Sequence, residues 1–153
     1  MTYTGHTFKG WYDNENLTGS PVTAIGGAET GNKEYWAKWE INQYTITFDT
    51  NDGSEIAPIT QDYGTEITAP DNPTRKGYTF KGWDKEIPET MPAENITVKA
   101  QWEINQYTIT FDTNGGSEIA PITQDYGTEI TAPDTPTRKG YTFKGWDKEI
   151  PET

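Results

Sequence analysis

The residues of this chain best suited to chemistry are carboxylates, and they fall in short groups. Asp49-Thr-Asn51-Asp52-Gly53-Ser-Glu55 has the oxygen content of a calcium loop. An EF-hand needs ligands at positions 1, 3 and 5, glycine at 6 and an acid at 12. Here Gly53 stands at position 5, and a second copy of the stretch puts Gly115 where this one has Asp52. A hairpin turn explains the run better than a metal loop. Asp84, Glu86 and Glu89 form a second group, Asp62 and Glu66 a third. Paired carboxylates can cleave glycosides, but they need a cleft and two different environments. The repeating unit described below is too small to enclose one readily, so these groups read as solvated acidic surface. The chain is expected to be no enzyme, with no catalytic, cofactor-binding or metal-binding residue and no cofactor.

His6 is the one histidine, and it aligns with Tyr78 and Tyr141. It reads as a packing substitute in an aromatic slot, since no serine relay or histidine metal site can be built from it and repeated. The absence of cysteine excludes a thiol nucleophile, a thiolate metal site and a disulfide framework. Asn16-Leu-Thr18 and Asn95-Ile-Thr97 match the glycosylation acceptor pattern, a three-residue signal of low specificity. Tryptophans could stack on sugars. Trp11, Trp83 and Trp146 follow a Lys-Gly step, and Trp39 and Trp102 share the inward face of a strand, so these five read as core. Trp36 falls on the outward face of its strand and is the candidate partner contact.

These residues must be positioned by a small folded unit. Of 153 residues only 31% are hydrophobic, but 6 Trp, 9 Tyr and 5 Phe are enough to carry compact cores, which argues against disorder. The net charge of -12 repels phosphate backbones and anionic lipid, so neither nucleic acid nor a membrane surface is an expected partner. No run approaches the 18 or so apolar residues of a membrane span, and no membrane insertion is expected. The opening MTYTGHTFKG lacks the basic and apolar regions of a signal peptide. The sequence therefore reads as intracellular or as an excerpt of a longer exported chain.

Self-similarity sets the organisation. Residues 44–90 recur at 107–153 with two changes, Asp52 to Gly115 and Asn72 to Thr135, giving a period of 63. GHTFKGW at 5–11 matches GYTFKGW at 77–83, and WAKWEINQ at 36–43 matches KAQWEINQ at 99–106. Trp11 to Trp39 spans 28 positions and Trp83 to Trp102 spans 19, so the first connection is nine residues longer. The expected domains are the C-terminal part of one unit at 1–43, a complete unit at 44–106, and at 107–153 an N-terminal part lacking its last strand.

Within a unit, Tyr44-Thr-Ile46-Thr-Phe48 alternates as a half-buried strand and runs into a TNDG or TNGG turn. Ile59–Tyr63, Thr65–Thr68 and Ile96–Trp102 read as further extended stretches. Pro58, Pro70, Pro73, Pro88 and Pro92 leave little room for helix, apart from one short turn at 72–77, with Asn72 as its cap and Gly77 beyond its end. The expected core is Tyr44, Ile46, Phe48, Ile59, Tyr63, Ile67, Tyr78, Phe80, Trp83, Ile96, Val98, Ala100 and Trp102. The fold class is mainly β, α+β at most.

YTITFDTNGG, then YG, then PTRKGYTFKGW, then a strand ending in AKW, resembles the Listeria–Bacteroides repeat, the family of internalin-type B repeats. The resemblance covers nearly the whole chain. It implies tandem small β-grasp-like domains, each a mixed sheet, in the extracellular part of bacterial surface proteins, and it implies no catalytic residues. The central unit departs from the commoner wording, with GWDKEIP and KAQW over a shortened connection. Two functions compete: a spacer or stalk, or an adhesive module holding a host protein or glycan by a sheet face or edge. The expected partners are neighbouring repeats. Because 107–153 has no counterpart of Ile96–Trp102, an open edge is expected along Tyr107–Asp112. The strand at Tyr35–Trp39 is the expected complement, within a chain or head to tail between chains.

Overall fold

The structure, a computed structural model, describes residues 1–27 and 29–153. Among them are eight strands and no helix: β1 (His6–Tyr12), β2 (Trp36–Ile41), β3 (Gln43–Asp49), β4 (Ile59–Asp62), β5 (Tyr78–Trp83), β6 (Ile96–Ile104), β7 (Gln106–Ile109) and β8 (Ile122–Asp125). The fold is mainly β. Alternation drives the longest strands. In β6, Val98 and Ala100 are buried while Thr97, Lys99 and Gln101 face water. In β3, Ile46 and Phe48 are buried and Thr47 is exposed.

The central sheet has the order β4-β3-β6-β5. Its outer pairs are antiparallel, and its middle pair is parallel, with Ile46 opposite Ile96 and Asp49 opposite Lys99. The sheet is therefore mixed. β3 divides its edges: residues 43–46 pair with β4 on one side and 46–49 with β6 on the other. The core is Ile46, Phe48, Ile67, Met91 and Val98, with Tyr44, Ile56, Ile59, Trp83, Ile87 and Ile96 packed around it. Met91, Ile56 and Ile87 were not legible as core. Met91 is carried in by the β5–β6 connection, where the Gly64 N–H donates to the Met91 carbonyl at 2.9 Å and the Met91 N–H to the Thr65 carbonyl at 2.9 Å.

Two expectations are corrected. The stretch 72–77 is not helical. Thr74 N–H donates to Ser54 Oγ at 3.0 Å and the Thr74 carbonyl accepts from Ser54 N–H at 2.8 Å. The Thr74 carbonyl is thus committed across to Ser54 rather than to the Tyr78 N–H four residues on; only a turn closes at Lys76–Gly77, with the Tyr78 N–H on the Arg75 carbonyl at 3.1 Å. Tyr63, Tyr78, Phe80, Trp102 and the buried Ala100 are also absent from the core cluster; Phe80 and Trp102 pack on each other instead at 5.5 Å, and the two tyrosines lie where successive units join.

At the chain ends stand two half-sheets. β1–β2 repeats the β5–β6 pairing, including its irregularity (Phe8/Gly10 matching Phe80/Gly82), and β7–β8 repeats the β3–β4 pairing residue for residue.

Candidate functional site: the joint between repeats

Several of the residues first considered for chemistry have structural partners. Asp49 Oδ1 accepts the Asn51 N–H at 3.0 Å, and Asn51 and Asp52 take φ of 50° and 68°, so the calcium-like run is a turn. Asp84 Oδ1 accepts the Lys99 N–H at 2.6 Å, and Asp62 Oδ1 accepts from Gln43 Nε2 at 3.0 Å. Among the described residues no group of three or more His, Cys, Asp or Glu is arranged to hold a metal. Trp36 opens β2 opposite Tyr12 and is half-buried.

What the fold builds twice, with the same parts, is a joint. β2 runs into β3 through the single residue Asn42, and β6 into β7 through Asn105. The Asn42 N–H donates to the Gly5 carbonyl at 2.8 Å, and the Asn42 carbonyl accepts the Tyr63 N–H at 2.8 Å. An extended residue points both groups to one edge, so β1 and β4, from successive units, abut along the same side of one continuous strand. Asn105 does the same, bonding Gly77 at 2.9 Å and Tyr126 at 2.8 Å. Each asparagine side chain fixes the pivot further. Thr79 Oγ1 donates to Asn105 Oδ1 at 2.6 Å, and Asn105 Nδ2 reaches the Tyr107 hydroxyl at 3.4 Å; Thr7, Asn42 and Tyr44 repeat this set.

A tyrosine seals each joint. The Tyr63 ring lies over Gly5 and the Tyr126 ring over Gly77, so closely that a Cβ on either glycine would collide with the ring. Both glycines also hold positive φ, 70° and 77°, where a side chain is strained. The next ring stands edge-on to the seal: Tyr78 against Tyr126 at 6.5 Å, His6 against Tyr63 at 6.2 Å. Arg75 stacks on Tyr78 at 3.9 Å, and in the first unit Tyr3 stacks on His6 at 4.0 Å in its stead. His6 is thus an aromatic substitute at the joint. The joint's side chains were not recognised from sequence as acting together. The available signal was the pair of Ile-Asn-Gln joins, with one asparagine and no Gly, Pro or Ser spacer between two alternating runs.

Ion pairs flank the joint on the solvent side. Lys9–Glu40 (2.8 Å) and Lys81–Glu103 (3.0 Å) are equivalent cross-strand pairs, all exposed. The hydrogen bond and charge of Glu40 raise the Lys9 ammonium above its ordinary value, and Lys9 in turn lowers the Glu40 carboxyl.

The Listeria–Bacteroides repeat domain family matches residues 1–38, 44–101 and 107–151, and the chain belongs to that family. Over 153 residues, 93% of the chain, it is 41% identical to a protein of Evansella cellulosilytica named "Putative membrane protein", covering 22% of that protein. It is 41% identical over 112 residues to Internalin H of Listeria monocytogenes, covering 67% of this chain and 20% of that one. The chain thus spans about a fifth of the length of these relatives. No solved structure matches it. No helix among the described residues is long and apolar enough to cross a membrane.

Proposed function

We propose that the chain is a non-catalytic spacer, a stretch of stalk in an extracellular bacterial surface protein. The observation that carries this reading is the parallel pairing of β3 with β6. The chain enters the central sheet on β3 and leaves on β6. Because these run the same way, it departs in the direction in which it arrived. An antiparallel pair would have turned it back. Each end then passes into the next unit through one residue whose N–H and carbonyl are both bonded. With Ile46 level with Ile96, Asn42 and Asn105 lie thirteen residues apart along the strand direction, about 43 Å per repeat at about 3.3 Å per residue. Family membership, and relatives named as an internalin and a membrane protein, agree with a surface setting.

The test is the end-to-end distance, by paired spin labels or small-angle scattering, in chains of increasing repeat number. A fixed increment near the above length supports the spacer. An increment that shrinks as repeats are added means the joints flex, and the reading fails. A saturable host protein or glycan, lost on Trp36→Ala, would put adhesion in its place.

A further inference from the structure

We infer that the central repeat is a mechanical clamp: it resists tension along the chain by loading the β3–β6 pair in shear. The inference rests on the spacer reading and adds what such a spacer must withstand. Tension arriving at Asn42 draws β3 toward its N-terminal end. Tension at Asn105 draws β6 toward its C-terminal end. The two strands are parallel neighbours, so these forces slide one along the other. Bonds crossing the pair then carry the force together, whereas a peeled pair breaks them one after another.

The side chains lengthen this overlap at both ends. Backbone pairing covers 46–49 against 96–99. Below it, the Thr45 N–H donates to Asn95 Oδ1 at 2.8 Å. Above it, Trp102 Nε1 donates to the Thr50 carbonyl at 3.0 Å and Asn51 Nδ2 to the Ala100 carbonyl at 3.3 Å. Lys99 and Asp49 add an ion pair at 3.6 Å. Asn95, which the sequence offers as a glycosylation acceptor, is thereby engaged in the clamp. The overlap is also dry on its inner face: Ile46 and Val98 are 0% exposed and Ala100 1%. Water, which would compete for bonds strained under load, is kept from that side.

The chain contains its own comparison. In β1–β2 the chain enters beside Asn42 and leaves through it, and β7 and β8 likewise begin and end at one edge, Gln106 opposite Asp125. Tension on the termini peels both half-sheets and shears only the central sheet. The experiment is single-molecule stretching of the 153-residue chain by its ends. The expected trace shows early low-force release, then one step at severalfold higher force freeing about 180 Å, the extended length of a repeat less its folded length. The chain has no cysteine, so handles at Thr47→Cys and Thr97→Cys, exposed neighbours across the pair whose side chains take no part in the clamp, can peel the same sheet instead, and the force should drop to that of the half-sheets. Asn95→Ala should lower the shear force more than Met91→Ala, although Met91→Ala costs more in denaturant. A central step no stronger than the half-sheets, a force indifferent to pulling direction, or the reverse order of the two variants overturns the clamp. Failure of the spacer is separate, being read from length without load.

Discussion

The central sheet and the two half-sheets are built from nearly the same residues, yet only the first closes a core. β3 spans seven residues and its repeat β7 only four; β6 spans nine and its counterpart β2 six. The residues lost are those of the parallel overlap, for which no partner strand is present. The outer antiparallel pairs survive intact. Tyr107 is 56% exposed and Tyr141 67%, while their central counterparts Tyr44 and Tyr78 are partly buried. Even so, Phe111 stays 5.3 Å from Trp146, as Phe48 does from Trp83 at 5.4 Å. An open groove of about 510 Å³ lies beside them, lined by Asp112, Phe143 and Trp146 among others, and another of about 520 Å³ opens under Trp11 and Tyr35. Antiparallel pairs and joints thus hold locally, while the core requires both halves of a unit to meet.

The sharpest way to break that comparison is at the core. Ile46→Ala should cost about 3 kcal/mol, whereas Ile109→Ala, at the same place in an unclosed unit, should cost under about 1 kcal/mol. Denaturant unfolding of the two variants decides it; equal losses would mean that the third unit is as closed as the second.

The joint is next in size. Gly77→Ala drives a methyl into the Tyr126 ring, while Gly140, at φ 79° in the same local sequence, has nothing near it. Both variants incur the strain of a side chain at positive φ, roughly 1–2 kcal/mol. Only Gly77→Ala should lose a further 1–3 kcal/mol, roughly the range for strain and overpacking, along with the Tyr78–Tyr126 contact seen by aromatic NMR shifts. Matching losses would deny the tyrosine seal.

The two open halves should complete each other head to tail, with the stretch at Tyr35–Trp39 taking the place of β6 beside Phe111. Sedimentation over a concentration series should then show mass rising above 17.2 kDa. A mass constant up to millimolar chain shows that they do not.

The smallest effect concerns the ion pairs. Glu40, its carboxyl lowered by Lys9, contributes stability above its unfolded titration and loses it as pH falls through its folded one; Lys9, raised by Glu40, contributes below its unfolded titration and loses it as pH rises through its folded one. Melting curves of the chain and of Glu40→Gln should therefore differ slightly at neutral pH and converge in acid and in alkali. Both side chains are exposed to solvent, so the expected gap is small.

Much of the fold could be read from residue order. Strict alternation in Tyr44–Phe48 and Ile96–Trp102 located β3 and β6, and the 63-residue recurrence showed where they repeat. Met91 escaped because it sits between prolines with no periodicity, and a connection buries a side chain only through what it is carried against. The helical turn at 72–77 was read from Asn72 and Gly77 as caps, but the structure commits Thr74, between them, to Ser54. Tyr63 and Tyr78 show the same limit: apolar pattern marks a ring as needing cover, not which unit will cover it.

Although β1 and β5 were not read as strands and Thr65–Thr68 forms none, the order of residues by itself determined β3, β4, β6 and their repeats, the turn after β3, the 63-residue period and the acidic, cysteine-free composition. These follow from neighbours a few positions apart. Tertiary structure alone decided that β3 and β6 lie side by side and parallel, that Asn42 and Asn105 bond in both directions, and that Gly5 and Gly77 seat a tyrosine of the next unit. Those pairings join residues from about twenty to nearly sixty positions apart, and only closing the sheet fixes which edges meet.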